Sequence, residues 1–463
     1  MNAPLLQIVI LAAGQGRRMR SSLPKVLQPL GNQPLIRHVL ATADALLADA
    51  GSTARPVLVS GHGGEQLQAA LSDADCHWAH QVSQRGTGDA VAAALSHIEP
   101  AGRVLVLCGD VPLLRVETLR TLLASPPDAL AILTAILDDP TGYGRILRNP
   151  QGAVHAIVEQ RDASPAQQAV REINSGTLLI PAARLAGWLG RLDADNAQGE
   201  LYLTDIVAMA VADGVPVVGV PAAGEAEIMG INDRAQLAHC EREYQRRQAE
   251  KLLLDGVTLR DPERIDVRGE VAAGRDVEID VNVILEGRVT LGDGVRIGAH
   301  CILRDAVIEA GARIEPFSLI DSARVGANAV VGPYARLRPG TELAADVHVG
   351  NFVEVKNSRL AAGAKANHLA YVGDADIGAR VNVGAGTITC NYDGANKHRT
   401  VIGEDAFIGS NSSLVAPVTI GAGATIGAGS VISRGAPPGG LTLTRATQKT
   451  LPGWQRPVKK SDK

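Results

Sequence analysis

Three groups of residues in this chain have the types and spacing that chemistry needs. The first is a glycine turn, Ala12-Ala13-Gly14-Gln15-Gly16-Arg17-Arg18-Met19, with Pro24-Lys25 close behind. Small residues let backbone N–H groups approach phosphate oxygens, and Arg18 and Lys25 supply charge for a polyphosphate. The turn matches neither of two named loops: a Walker loop needs Gly-Lys-Ser/Thr, and a dinucleotide fingerprint needs a third glycine where Met19 stands. The second group is Asp110, just past the apolar run Val104–Cys108. A carboxylate at a strand end facing a phosphate turn suits Mg²⁺, which takes one or two protein oxygens and completes its shell with phosphates and water. The third is His368, which follows Arg338 and Lys356 and precedes Tyr371. An imidazole titrates near neutrality and can act as a base, and two cations suit a sugar phosphate. Taken alone, each group also has a plainer reading: a turn without ligand, a Gly-Asp turn, a structural histidine beside a basic surface ladder. Cys390 is a rival nucleophile, but no second base accompanies it.

The elements that must position these groups are of two kinds. Leu6–Leu11, Pro56–Ser60, Val104–Cys108 and Ala131–Ile136 read as buried strands, with apolar helical segments such as Ala90–Ile98 between them. That alternation predicts a mostly parallel, doubly wound α/β sheet with ligands at the carboxyl ends of its strands. From about Ile265 to Ile432 the pattern changes. Val325, Val331, Leu337, Leu343, Val349 and Val355 recur every sixth residue, as do Ile402, Ile408, Leu414, Ile420, Ile426 and Ile432. A period of six fits a parallel β-helix, in which each short strand sends one aliphatic inward and a small residue turns the corner. Residues 18 apart then share a place on successive coils, and Arg338 and Lys356 are so spaced. The period breaks at Thr387–Gly394. Between the two regions, Asp233 to Asp255 has no Gly or Pro and predicts one helix. The expected organisation is a nucleotide-handling domain over 1–232, a linker helix over 233–255, and the repeat domain with a C-terminal tail over 256–463. The Lys-rich end from about Lys459 is expected to be a mobile tail.

Composition excludes several classes. The 463 residues are 46% hydrophobic and 20% charged with a net charge of −4, which argues against nucleic acid as a partner. Glutamates interleave the arginines of the linker, which marks a solvated face. Aromatic residues make up only 3%, which suits a narrow aliphatic solenoid. The five scattered cysteines form no C-x-x-C pair and read as reduced thiols of a cytoplasmic protein. The apolar segment Leu5–Leu11 is too short to span a bilayer and lacks a basic leader, so neither secretion nor membrane insertion is expected.

Leu11-Ala12-Ala13-Gly14-x-Gly16-x-Arg18-Met19 with Pro24-Lys25 resembles the signature of sugar-1-phosphate nucleotidyltransferases. Gln81, Gly86-Thr87-Gly88, Gly109-Asp110, Gly142-Tyr143-Gly144-Arg145, Val158-Glu159, Ile173-Asn174 and Gly230-Ile231-Asn232 follow in that family's order. Joined to the hexads, the whole chain resembles the bacterial family of bifunctional N-acetylglucosamine-1-phosphate uridyltransferases and glucosamine-1-phosphate acetyltransferases. The resemblance implies a Rossmann-like nucleotidyltransferase domain followed by a left-handed parallel β-helix of hexapeptide repeats. It implies uracil and ribose contacts at Leu11, Ala12, Ala13, Gly14, Gln81, Gly86 and Thr87, with Gly109 beside them. Arg18 and Lys25 would handle the triphosphate of UTP, Asp110 and Asn232 would hold Mg²⁺, and Gly144, Glu159 and Asn174 would bind the sugar. One departure is Cys108, where the family's pattern has a tyrosine.

For the second domain the resemblance makes His368 the base that takes a proton from the glucosamine amine. It places Arg338, Lys356, Tyr371 and Asn382 on the amino sugar phosphate, and Ala385, Asn391, Tyr392, Ser410, Ala428 and Arg445 on acetyl-CoA. It also implies a homotrimer with acetyltransferase sites shared between chains, and a product that supplies peptidoglycan and lipopolysaccharide precursors. Two other readings compete: a single-activity nucleotidyltransferase with a regulatory solenoid, and a trimerising scaffold with a degenerate nucleotide domain.

Overall fold

In the computed structural model, residues 5–14, 16–457 and 459 are described. The tail expected from Lys459 lies, beyond that residue, outside the described residues. The chain divides into two compact units, Met1–Tyr244 and Gln245–Lys463.

The first unit is built on a nine-stranded sheet. Its main path runs Val217–Pro221, Leu130–Ile136, Glu172–Pro181, Arg103–Cys108, Leu6–Leu11, Val57–Ser60, His77–His80. Leu6–Leu11 is central and parallel to both neighbours, with Leu11 opposite Val59 on one side and Cys108 on the other. Its side chains alternate between two cores. Ile8 and Ile10 join Ile36 and Leu119 on one face, and Val9 joins Val91, Trp188 and Ile206 on the other. A strand buried on both faces reads as a near-continuous apolar run, here with Gln7 as the single polar residue. The sheet is mixed, because Glu172–Pro181 runs antiparallel to Arg103–Cys108 and Leu130–Ile136. No pattern in the sequence distinguishes that strand's direction, since burial on both faces looks the same either way.

The helix spans Arg234–Leu254. The division between the units falls inside it, after Tyr244.

The second unit is a parallel β-helix. Its strands stack into an 11-stranded and a 17-stranded sheet, the latter zigzagging between two faces, so each coil has three sides. Every hexad aliphatic named above is at most 3% exposed. The coil length is less regular than the 18-residue repeat. The step is 18 between Glu278 and Arg296 and between Val330 and His348, but 17 between His348 and Lys365 and between Lys365 and Asn382. It grows to 25 between Asn382 and Phe407, and the sequence break expected at Thr387–Gly394 falls later than its start: Ile388–Cys390 stays in the sheet, in register with Ser413–Val415, and the extra residues lie between Cys390 and Thr400. The short coils save a residue at one corner, where Asp305, Ser322, Asn357 and Asp374 turn the chain with φ between 44° and 49°. Another corner carries His300, Phe317, Tyr334 and Phe352 at φ between 56° and 61°, with their rings stacked at 4.7, 5.0 and 5.3 Å. Bulky residues rarely adopt that conformation, and the face-to-face column offsets its cost.

Candidate functional site

In the first unit, a cavity of about 550 Å³ opens at the carboxyl ends of Leu6–Leu11 and Arg103–Cys108. Leu11, Ala12, Ala13, Gly14, Lys25, Gln81, Gly86, Thr87, Cys108 and Asp110 line it, together with Arg17, Gln84 and Glu200. The backbone holds this end taut: Ala12 N–H donates to Val59 O at 2.9 Å, and Gly109 N–H to Leu11 O at 2.9 Å. Gln81 is buried, and its amide donates to Gly86 O at 3.0 Å and to Asp89 at 2.9 Å, which fixes the turn before the helix Thr87–Ala94. Thr87 Oγ1 accepts from Leu203 N–H at 3.0 Å. Gly86 has φ 110°, and a Cβ there would meet Leu201 O at 2.7 Å, so only glycine fits.

Lys25 forms an ion pair with Asp110 and also donates to Asn232 Oδ1 at 3.1 Å. The oxygens of Asp110 and Asn232, over a hundred residues apart in sequence, thus converge on one cation. An ammonium stands where the donor set, one carboxylate and one amide oxygen, fits a hard divalent ion. Arg18 is exposed on the turn Arg17–Met19, and Arg17 is the residue of that turn lining the cavity. Gly144, Glu159 and Asn174 do not line this cavity; strand pairing brings them together beside it. Arg145 pairs with both Val158 and Ile173, and Asn174 N–H donates to Gly144 O at 2.9 Å. Burial raises the Glu159 carboxyl above its ordinary range, opposed by the hydrogen bond from Thr204 at 3.0 Å. The Cys108 thiol is pushed up to about 12, mainly by burial. A Cβ on Gly176 would come within 2.9 Å of its sulfur, so Cys108 fills a gap against the strand Glu172–Pro181.

In the β-helix, His368 is exposed at the end of strand Lys365–His368. Its Nδ1 lies 2.7 Å from Asn351 Oδ1. An amide oxygen only accepts, so Nδ1 carries the proton and Nε2 keeps its lone pair for an incoming one. Asn351 pairs with His368 across one coil. Asn411 N–H donates to Ala385 O at 2.7 Å and Gly429 N–H to Ser410 O at 2.8 Å, so Ala385, Ser410 and Ala428 continue one wall, coil by coil. Arg445 reaches the same wall, its guanidinium 3.5 Å from a Cβ position on Gly427.

Arg338 and Lys356 follow the paired positions Leu337 and Val355, which stacks them as the spacing predicts. Buried hydroxyls hold their backbones: Thr341 Oγ1 donates to Arg338 O at 2.7 Å, and Ser358 Oγ to Lys356 O at 2.8 Å. Arg338 pairs with Glu354 at 2.8 Å. Tyr371 shares the face of Glu354, and its phenol lies over Gly373, where a Cβ would overlap it. Asn382 lies on the neighbouring face, in register with Lys365. Asn391 is buried, bonded to Asp374 and, at 3.4 Å, to the Tyr371 hydroxyl; Tyr392 is exposed. The looped-out segment brings Lys397 against Lys356, whose like charge lowers the Lys397 pKa. The sequence assigns no role to Asn351, Glu354 or Lys397. Asn351 and Glu354 stand one coil from His368 and Tyr371, a signal within reach, whereas Lys397 sits in an insertion without periodicity. Cys390 is half-buried, its sulfur 3.9 Å from Ile388 O.

Profiles of known families match three stretches. A MobA-like NTP transferase domain matches residues 8–199, the GMPPB C-terminal domain matches 267–365, and bacterial transferase hexapeptide (six repeats) matches 399–434. Curated relatives run the length of the chain. Bifunctional protein GlmU of Azoarcus sp. is 59% identical over 455 residues, covering 98% of this chain and 100% of the relative. Those of Ralstonia nicotianae and Stutzerimonas stutzeri are 58% and 57% identical, covering 98% of this chain and 99% and 100% of the relatives. With a nucleotidyltransferase sheet and a hexapeptide β-helix in one chain, and this identity from end to end, the chain belongs to the bifunctional GlmU family, the two-step transferases of UDP-N-acetylglucosamine synthesis.

Proposed function

We propose that the β-helix acetylates glucosamine-1-phosphate from acetyl-CoA and that the first unit then joins the product to uridylate from UTP, releasing pyrophosphate. The observation carrying the first half is the wall that runs from Asn351 and His368 to Ala385, Ser410 and Ala428. His368 Nε2 takes a proton from the amine as its nitrogen attacks the thioester carbonyl. The C–S bond breaks with its electron pair going to sulfur, and the proton held on Nε2 passes to it, so that CoA leaves as the free thiol. Arg338, Lys356, Tyr371 and Asn382 hold the sugar phosphate, while Ala385, Asn391, Tyr392, Ser410, Ala428 and Arg445 hold acetyl-CoA. Cys390 forms no acyl intermediate, because a neutral amine attacks a thioester directly.

In the first unit the nucleoside lies on Leu11–Gly14, Gln81, Gly86, Thr87 and Gly109, and the sugar on Gly144, Glu159 and Asn174. Lys25 faces the triphosphate, Arg18 would have to reach it from the exposed side of the turn whose Arg17 lines the cavity, and Asp110 with Asn232 would hold Mg²⁺. When bound, the ion supplies charge neutralisation for the phosphates. The protein's part is alignment of the sugar phosphate oxygen with the α-phosphorus, so no general base is required. The protein acts as a homotrimer in the cytoplasm, with the acetyltransferase sites shared between chains. The exposed Leu441, Leu443, Leu451 and Trp454 favour contact with another copy, and five free thiols favour a reducing compartment.

The test supplies glucosamine-1-phosphate with acetyl-CoA and follows free thiol. Thiol release above the blank is expected, and its absence would leave only the nucleotidyltransferase. Pyrophosphate release from UTP, Mg²⁺ and N-acetylglucosamine-1-phosphate checks the other half. Light scattering should give three times the 48.2 kDa of one chain.

A further inference from the structure

We propose that the first turn of the helix Arg234–Leu254 belongs to the uridylyl-transfer site, with Gln236 and Arg234 as positioning residues. The inference rests on the reading of Asn232 as a metal ligand.

Asn232 lies in no helix or strand; it stands between the short helix Glu225–Ile228 and the long one that begins at Arg234. Hydrogen bonds to its backbone therefore decide where its side-chain oxygen sits. Ile231 N–H donates to Asp110 O at 2.9 Å, which ties the two segments carrying the metal-facing oxygens to each other. The next amide, Asn232 N–H, donates to Gln236 Oε1 at 2.8 Å. Gln236 is itself held, since its own N–H donates to Asp233 Oδ1 at 2.9 Å. The third residue of a helix ordinarily reaches back to the amide of the N-cap residue. Here the cap is Asp233, and Gln236 reaches one residue further, to Asn232. The acceptor that a capping box would use on the helix is spent on the site.

Arg234 acts on the other side. Its guanidinium donates to Gln28 Oε1 at 2.9 Å, and Gln28 is 2% exposed. The Gln28 amide donates in turn to Ser21 Oγ and Leu23 O, both at 3.1 Å. Ser21 and Leu23 lie in the loop between Arg18 and Lys25. One helical turn thus fixes the segment presenting Asn232 and the loop presenting the triphosphate cations. Partners behind a metal ligand set its orientation, and losing one typically weakens metal binding or activity by about 10–100-fold.

The test uses the full-length chain. Gln236→Leu keeps the shape and removes the acceptor, Gln236→Glu keeps an acceptor, and Asn232→Ala removes the ligand. Mn²⁺ binding in the presence of UDP-N-acetylglucosamine is followed by loss of the free Mn²⁺ electron paramagnetic resonance signal. The Mg²⁺ dependence of pyrophosphate release is measured alongside, with thiol release from acetyl-CoA reporting on the β-helix and the circular dichroism spectrum and thermal unfolding of each variant reporting that the first unit is folded. Gln236→Leu should weaken Mn²⁺ binding about tenfold and raise the half-saturating Mg²⁺ equally, with thiol release unchanged, while Gln236→Glu binds no more weakly than wild type. If Asn232→Ala is impaired but Gln236→Leu binds as wild type, or if Gln236→Glu fails as badly as Gln236→Leu, the positioning role is overturned. If Asn232→Ala itself binds Mn²⁺ as wild type, the metal reading fails first and the inference with it. Arg234→Ala should raise the KM for UTP and leave Mn²⁺ binding in place; an unchanged KM removes Arg234 from the proposal.

Discussion

At the scale of single residues, the roles divide by what each side chain has left to offer. His368 has one nitrogen bonded to Asn351 and the other open, at an exposed strand end. His348, one coil earlier and on the same face, is pushed below its ordinary pKa by burial and then by the charges of Lys365, Arg313 and His368. Of the two, His368 is the one at an exposed strand end with its ring oriented by an acceptor. His368→Ala should lower acetyl transfer by about 10²–10⁴-fold, the usual range for a positioned base, and leave pyrophosphate release unchanged. Cys390→Ala should leave thiol release at the wild-type rate; a loss comparable to His368→Ala would restore the covalent alternative. His368 was legible from sequence because its neighbours Arg338, Lys356 and Tyr371 are polar in a stretch that is otherwise aliphatic. Its orienting Asn351 drew attention only as part of a polar stretch and was given no role, because the 17-residue step that sets it beside His368 departs from the 18-residue spacing of the repeat.

At the scale of elements, corners rather than strands distinguish this solenoid. Phe317, Tyr334 and Phe352 hold left-handed backbone conformations, each costing roughly 1–2 kcal/mol for a residue with a Cβ. Tyr334 stacks on both neighbours, and such pairs contribute about 0.5–1.5 kcal/mol each. Tyr334→Ala keeps the strained corner and removes both stacks, so denaturant unfolding of the β-helix should show a loss of about 1–3 kcal/mol. No loss would mean that the column is ornamental. A second corner depends on charge. Burial alone would raise the Asp374 carboxyl, but hydrogen bonds from Asn357 and Asn391 outweigh it and hold the pKa below the ordinary value. A depressed carboxylate stabilises the fold above its unfolded pKa, and that contribution fades as pH falls through the folded value. The Tm gap between wild type and Asp374→Asn should therefore be widest near neutrality and narrow as pH falls below about 4. A gap independent of pH would show that the ionised form is not what the two amides hold. Neither corner was visible in the hexad pattern, which reports what points inward and is silent about what turns.

At the scale of the whole molecule, the two chemistries occupy separate units, Met1–Tyr244 and Gln245–Lys463. The acetylated sugar phosphate is expected to pass between them by diffusion. A mixture of His368→Ala protein, which lacks the first step, and Asp110→Asn protein, which lacks the second, should therefore convert glucosamine-1-phosphate to UDP-N-acetylglucosamine. Failure of the mixture, with each variant still active in its remaining half-reaction, would point to handover within one assembly. Among the described residues no helix is long and apolar enough to cross a membrane. The sequence by itself determined the architecture of both units, because burial imposes a period: near-continuous apolar runs for a sheet covered on both faces, and one aliphatic in six for a three-sided coil. It also determined the stacked Arg338 and Lys356, since coil length converts spacing into adjacency. Tertiary structure alone decided the antiparallel course of Glu172–Pro181, the approach of Lys397 to Lys356, and the hold of Arg234 on Gln28. Those depend on contacts between segments far apart in the chain, and no local pattern of residue types records which distant backbone a side chain will meet.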